Sequence, residues 1–360
     1  MSEKSSQNQA NQRLISGNEA AGEAAIRAGC RFYAGYPITP QNELIAYMAD
    51  QLPLRGGTFV QAESEIAAIN MLFGASAGGA RCMTSSSSPG ISLKQEGISY
   101  LAGAQLPAVI VNVQRGGPGL GGIGPSQGDY FQTTKGGGHG DYRCITLAPA
   151  SVQETAELAF EAFELADKYR NPVVILSDAM IGQMMENADL DVLPEPSSPP
   201  KPWALTGADG RDKNVIRSLY FQDNQLTSHN ERLQDKYSRI TDAEVRCETL
   251  ECEDAEVVVV AYGSSARIAR ELIVNPPDVL EPRVGLFRPV TLWPFPTERL
   301  ASTISSADAV LTLEMSAGQL VEDVRLSANT PDKIHLMACP GEGVPTVEEI
   351  SENINSILDS

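Results

Sequence analysis

The chain has 360 residues, with 27 Lys+Arg against 46 Asp+Glu for a net charge of −19; 42% of residues are hydrophobic and 20% charged. These proportions describe a globular protein with core enough for two or three domains, and the acidic balance excludes nucleic acid as a partner while leaving a basic electron carrier or partner subunit open. No apolar run is long enough to span a bilayer, the polar start lacks a signal core, and the six cysteines (30, 82, 144, 247, 252 and 339) form no CxxC pair, which argues against zinc or a cysteine-held iron–sulfur cluster and for reduced thiols in the cytoplasm.

Residues 17–29 read as a helix with Asn18 as N-cap and Gly29 at its end. Phe32–Gly35 is an apolar strand closed by Tyr36-Pro37-Ile38-Thr39-Pro40. Each proline fixes its own φ and pushes its predecessor toward extended geometry. The stiff loop presents Thr39 at a strand end, where open α/β sheets bind ligands, although the run also suits a plain strand-to-helix turn. A helix over 41–52, a strand over Thr58–Gln61 and a helix over 64–77 follow. Glu63 and Glu65 both suit a helix N-terminus. Glu65, however, enters Ile66-Ala67-Ala68-Ile69, so its carboxylate is expected to be buried and to need a partner.

A strand over 82–85 leads through Ser85-Ser-Ser-Ser88-Pro-Gly90 into a helix over 90–102; the serines form either a polar-ligand cradle or a capping turn. The β-branched strand 108–113 ends in Gln114-Arg115. A guanidinium there suits a planar carboxylate or a surface ion pair, and the strand-end position favours a ligand. Glycines at 116–124 and 136–140 form a mobile lid or a tight backbone crossing. The spacing is not a GxGxxG at a βα turn, nor a GxxxxGK(S/T) P-loop. After a helix over Val152–Tyr169 and a strand over 173–177, a Pro/Ser-rich linker runs from 193 to 202, and a helix is expected over 229–237. A second unit follows, with strands at 256–261, 284–288 and Ala309–Glu314, a turn at 262–265, and helices at 266–273 and 319–326. Apolar strands alternating with helices indicate an α/β chain with a doubly wound parallel sheet. Its expected domains are 12–192 and 253–357, bridged by 193–252.

Taken in order, YPITP (36–40), ESEIAA (63–68), QRGGPG (114–119), GGIGPSQGDYFQ (121–132), KGGGHGDY (135–142), GLFRPVTLWPFP (285–296) and EMSAGQLVEDVR (314–325) resemble the alpha subunit of the 2-oxoacid:ferredoxin oxidoreductases. The likeness is nearest to the branched-chain, or 3-methyl-2-oxobutanoate, class and covers nearly everything beyond the first dozen residues. It implies a pyrimidine-type thiamine diphosphate domain followed by a transketolase-C-terminal-like domain. It implies that Glu65 contacts N1′ of the aminopyrimidine, activating the cofactor to attack the keto carbon. Tyr36, Pro37, Ser88 and Gly90 would line the cofactor, and Thr39 and Arg115 would hold the substrate carboxylate. After loss of CO2, electrons would leave singly to iron–sulfur clusters and the acyl group would pass to coenzyme A.

The chain lacks the GDG…N diphosphate–Mg²⁺ motif and the CxxC cluster motifs of single-chain pyruvate enzymes. The resemblance therefore implies a beta subunit with the diphosphate and Mg²⁺, gamma and small subunits with [4Fe-4S] clusters, and ferredoxin as acceptor, with no metal on this chain. A 2-oxoglutarate or pyruvate enzyme, a lipoamide-linked dehydrogenase and a non-catalytic scaffold of the same fold are the alternatives. The loop from Gly116 to Thr134 contains no second basic residue for a distal carboxylate; Lys135, Arg143 or a partner would have to supply one.

Overall fold

The computed structural model describes residues 12–359. The first half runs β1 (Arg13–Ser16), α1 (Gly17–Arg27), β2 (Phe32–Gly35), α2 (Asn42–Leu54), β3 (Thr58–Gln61), α3 (Glu65–Ala77), β4 (Cys82–Ser86), α4 (Ser88–Gly103), β5 (Ala108–Gln114), β6 (Ile145–Leu147), α5 (Val152–Tyr169), β7 (Pro172–Asp178), α6 (Ala179–Gln183) and β8 (Met185–Ala188). A largely irregular segment leads to α7 (Gln225–Ala243). The second half runs β9 (Cys247–Leu250), β10 (Val257–Val260), α8 (Gly263–Val274), β11 (Val284–Pro289), β12 (Thr291–Trp293), α9 (Thr297–Thr303), β13 (Ala309–Glu314), α10 (Leu320–Ser327), β14 (Ile334–Ala338) and α11 (Val347–Leu358).

The main sheet has seven strands in the order β12-β6-β7-β5-β4-β2-β3, parallel except for β12. Its central strands β5 and β7 are buried along their whole length, as expected of strands covered on both faces. One face packs on α1, α2 and α5 through residues such as Ala24, Met48 and Phe163; the other packs on α3 and α4 through Leu72, Ile98 and Leu101. A second sheet, β14-β13-β10-β11-β9, is parallel except for its edge strand β9, and β1 pairs with β8 in a small antiparallel ribbon.

The doubly wound parallel reading holds, with local differences. The cap of α1 is Ser16, whose hydroxyl accepts from Glu19 N in a reciprocal capping box. Asn18, expected as the cap, instead donates to Pro40 O and to Glu43 Oε2, each at 2.8 Å, and so ties α1 to the loop after β2. Helix α4 begins at Ser88, so Gly90 lies inside its first turn. The expected turn at 262–265 is already helix from Gly263.

The two sheets are stitched together. β12, from the second half of the chain, forms the edge of the main sheet. Arg288 grips Glu154 with both terminal nitrogens, at 2.9 and 2.7 Å. Gln127 is fully buried and makes five hydrogen bonds with Tyr262, Ser265 and Met315. Among the described residues no helix is long and apolar enough to cross a membrane.

Candidate active site

The main sheet changes winding direction at β2: β3 lies on one side of it, and β4, β5 and β7 follow on the other. Such a switch point opens a crevice at the carboxyl ends of the strands. Here the ladder between β2 and β4 runs only through Phe32–Cys82 and Tyr33–Met83. Beyond that point side chains bridge the strands. Thr84 Oγ1 donates to Ala34 O at 2.6 Å, the Tyr33 and Ser85 hydroxyls meet at 2.5 Å, and Ser85 Oγ donates to Gln41 Oε1 at 2.5 Å.

Glu65 stands at this crevice as the first residue of α3, behind the N-cap Ser64, and is 6% exposed. Among the described residues its carboxylate makes no hydrogen bond and no ion pair within 4 Å. It lies against the first turn of α4: a Cβ on Gly90 would stand 2.7 Å from Glu65 Oε1 and 2.1 Å from Ser86 Oγ. Glycine at 90 is therefore what admits the carboxylate. The Ser86 and Ser87 hydroxyls are buried with no hydrogen-bond partner among the described residues. Unsatisfied buried polar groups are rare in folded proteins, and a cluster of them at a crevice is what a polar ligand would complete. A pyrimidine ring, with its nitrogens and amino group, fits this donor and acceptor set.

One helical turn beyond Gly90, Lys94 is completely buried and donates to Thr84 Oγ1 at 2.9 Å. Burial pushes its ammonium down to about 8, with the Glu65 charge pulling the other way.

Arg115 follows β5. Its Nη1 donates to Thr39 O at 2.9 Å and its Nη2 to Leu120 O at 3.0 Å, while its buried Nε has no partner. The structure thus brings Thr39 and Arg115 into contact, through the Thr39 carbonyl; the Thr39 hydroxyl accepts from Asn42 Nδ2 at 3.1 Å. Tyr36 and Pro37 are exposed at the rim. Ser88 Oγ donates to Asp129 Oδ2 at 2.6 Å and accepts from Arg115 N at 3.1 Å. Asn112 Nδ2 donates to the same Asp129 oxygen at 2.8 Å. Burial raises the Asp129 carboxyl above its ordinary value, against the pull of those two donors. Arg115, Ser88 and Asp129 line a cleft of about 450 Å³ with Pro118, Ser316 and Gln319.

The glycine loops are a crossing as well as a rim. Gly124 N donates to Glu342 Oε1 at 2.6 Å, and Cβ atoms on Gly116 or Gly122 would strike the Glu342 side chain. The following Gln127 and Tyr130 anchor the loop to the second unit, Tyr130 through its hydroxyl to Asp323 Oδ2 at 2.5 Å. Lys135 is not at the cleft, because it pairs with Asp323; Arg143 Nη1 donates to Tyr142 O at 3.1 Å. Sequence reasoning missed Lys94, Asn112 and Asp129. Lys94 had a signal: it interrupts the apolar stripe Ile91, Ile98, Leu101 at helical spacing.

A family model described as "Pyruvate flavodoxin/ferredoxin oxidoreductase, thiamine diP-bdg" matches residues 23–245, and one described as "Pyruvate:ferredoxin oxidoreductase core domain II" matches 255–350. The chain belongs to the 2-oxoacid:ferredoxin oxidoreductase family. It is 48% identical to the ketoisovalerate oxidoreductase subunit VorB of Methanothermobacter thermautotrophicus over 344 residues, covering 96% of this chain and 97% of that protein. It is 42% identical to the 2-oxoglutarate synthase subunit KorA of Archaeoglobus fulgidus, covering 86% and 90%. The solved 2-oxoglutarate:ferredoxin oxidoreductase from Magnetococcus marinus, with 2-oxoglutarate, coenzyme A and succinyl-CoA bound, superposes with a TM-score of 0.87 at 26% identity. That match covers 97% of this chain and 65% of that one. A split-gene transketolase described as an inactive beta4 tetramer, at TM-score 0.58 and 16% identity, shares the fold alone. This family member is an alpha-type oxidoreductase subunit, with the thiamine diphosphate-binding fold in its first part.

Proposed function

We propose that the chain is the pyrimidine-side subunit of an enzyme that oxidatively decarboxylates a branched-chain 2-oxoacid with coenzyme A to acyl-CoA, CO2 and reduced ferredoxin. The observation that carries this reading is Glu65: a buried carboxylate without a partner, at the point where the sheet reverses its winding. Thiamine diphosphate, when bound, supplies the carbon nucleophile that attacks the keto group and accepts the electron pair released with CO2. Glu65 holds and exchanges the proton at the pyrimidine N1′. Ser86, Ser87, Ser88 and Gly90 wall the ring on the α4 side, and Tyr36 and Pro37 on the rim. Arg115, fixed by two carbonyls and with Nε still available, orients the substrate carboxylate beside Thr39.

The substrate preference rests on charge as well as on the VorB likeness. Among the described residues that line the cleft, Arg115 is the one cation. A second substrate carboxylate would be buried there without a counter-ion, which is costly. We assign the diphosphate and Mg²⁺ to a beta subunit, the [4Fe-4S] clusters to gamma and small subunits, and the location to the cytoplasm. Support for a covering partner comes from the apolar surface beside Glu65 and Arg115, where Ile66, Leu93, Leu120 and Ile123 are exposed. The test is kcat/KM for 2-oxoisovalerate and 2-oxoglutarate, with coenzyme A and a viologen acceptor, on the assembled complex. A preference for 2-oxoglutarate would overturn the substrate and keep the reaction class; inactivity toward every 2-oxoacid would overturn both.

A further inference from the structure

Lys94 has no role in the account above, and its surroundings are unusual. Its side chain is completely buried on the inner face of α4, and Nζ donates to one neutral oxygen, Thr84 Oγ1. Thr84 Oγ1 in turn donates its hydrogen bond to Ala34 O. An ammonium has three N–H groups and a full charge to satisfy, and a buried cation is normally paired. No ion pair within 4 Å is made by Lys94 among the described residues. The charge that acts on it is Glu65, from α3; β4 faces it with the neutral Thr84. The register sets both along one seam: a Cβ on Gly90 would stand 2.7 Å from Glu65 Oε1, and Lys94 is four residues, one turn, further along the same face of α4.

We propose that Lys94 is a positioning residue for Glu65, a fixed counter-charge set behind the carboxylate that keeps it ionised and aimed at the crevice. The proposal rests on the reading of Glu65 as the residue that serves the cofactor. The physical logic is a balance of terms. Burial drives Lys94 toward its neutral form, and the Glu65 charge opposes that. Each charge lowers the cost of the other more strongly in the low dielectric of a packed interior than it would in water. Because the two make no direct salt bridge, both Glu65 oxygens stay available toward the crevice. A direct pair would occupy the group that has to exchange a proton.

The experiment needs no bound cofactor. With ε-¹³C-lysine incorporated into the full chain, the eight lysines are titrated by NMR in the wild type and in Glu65→Gln. Lys94, assigned by its loss in Lys94→Met, is expected to titrate well below the exposed lysines. In Glu65→Gln its midpoint is expected to fall by about one pH unit or more, because a favourable negative charge has been removed. An unchanged midpoint overturns the proposal. In the assembled enzyme, Lys94→Met should move the acid limb of the kcat/KM profile to higher pH by a similar amount, while Glu65→Gln removes that limb. An acid limb that stays in place in a well-folded Lys94→Met enzyme also overturns it. If Lys94→Met does not fold, assignment comes from Lys94→Arg and the Glu65→Gln titration decides. The reading of Glu65 itself fails separately, on wild-type turnover by Glu65→Gln, whatever Lys94 does.

Discussion

Two buried glutamates have opposite fates. Glu314, at the end of β13, is 1% exposed and fully engaged: Gln319 N, Leu320 N and Val321 N donate to it at 2.8, 3.1 and 3.1 Å, and Ser316 Oγ adds a fourth bond. It caps α10 and holds the segment that receives Gln127. Glu65, at the start of α3, is buried nearly as deeply and accepts no hydrogen bond among the described residues. The two resemble each other in burial, and differ in backbone setting, strand end against helix start, and in satisfaction. A buried acid that spends every lone pair on its own fold is architecture; one left unbonded calls for another explanation, which the proposed cofactor role supplies.

Four substitutions break or sharpen this comparison. Glu65→Gln should have the largest effect, a loss of ~10²–10⁴-fold in turnover of the assembled complex, the usual worth of general acid–base catalysis. The variant should still fold and assemble, since no hydrogen bond is lost; near-normal turnover would refute the role. Gly90→Ala should follow, with a loss of about 10²-fold in turnover, because the added methyl must displace Glu65 Oε1 or Ser86 Oγ and small misplacements at a reacting centre are costly. Its signature is a fall in kcat with assembly intact.

Glu314→Ala should act the other way round. It strands three N–H groups at the start of α10 and should cost about 2–3 kcal/mol of stability in denaturant unfolding, with the remaining folded enzyme keeping its turnover. A catalytic defect larger than the stability loss explains would erase the distinction between the two acids.

The smallest effect concerns pH. Lys94 is held at about 8 against an ordinary 10.5, so between those values the unfolded chain binds its proton more tightly than the folded one. Stability from this group therefore rises as pH climbs through about 8 to 10.5, and its full penalty is present below that window. Lys94→Met should remove this rise, seen as an unfolding free energy that climbs less steeply than the wild type's across the same range.

The parallel architecture was readable because buried parallel strands announce themselves: the runs now seen as β5, β7 and β10 are continuous and β-branched. Several elements that escaped are short or at edges, but the twelve-residue α11 was missed as well, despite its Thr346–Glu349 capping box. β6 and β12 have three residues each, and β12 finds its place only by pairing with a strand some 140 residues earlier. Glu65 was legible because an acid entering an apolar helix violates the local pattern, and Lys94 carried the same kind of violation. Asp129 and Glu342 carried none, because polar residues in glycine-rich loops are ordinary.

The chain alone determined its class, its two α/β halves and the identity of the residues at strand ends, since periodicity, proline and glycine act over a few neighbours. Only the tertiary structure decided which of those residues share a space. It committed Lys135 to Asp323, met the Arg115 guanidinium with the Thr39 carbonyl, folded the glycine loop around Glu342 and left Glu65 unbonded. Those outcomes depend on contacts between residues up to about two hundred positions apart, and hydrogen-bond satisfaction is a property of the packed whole that no local pattern encodes.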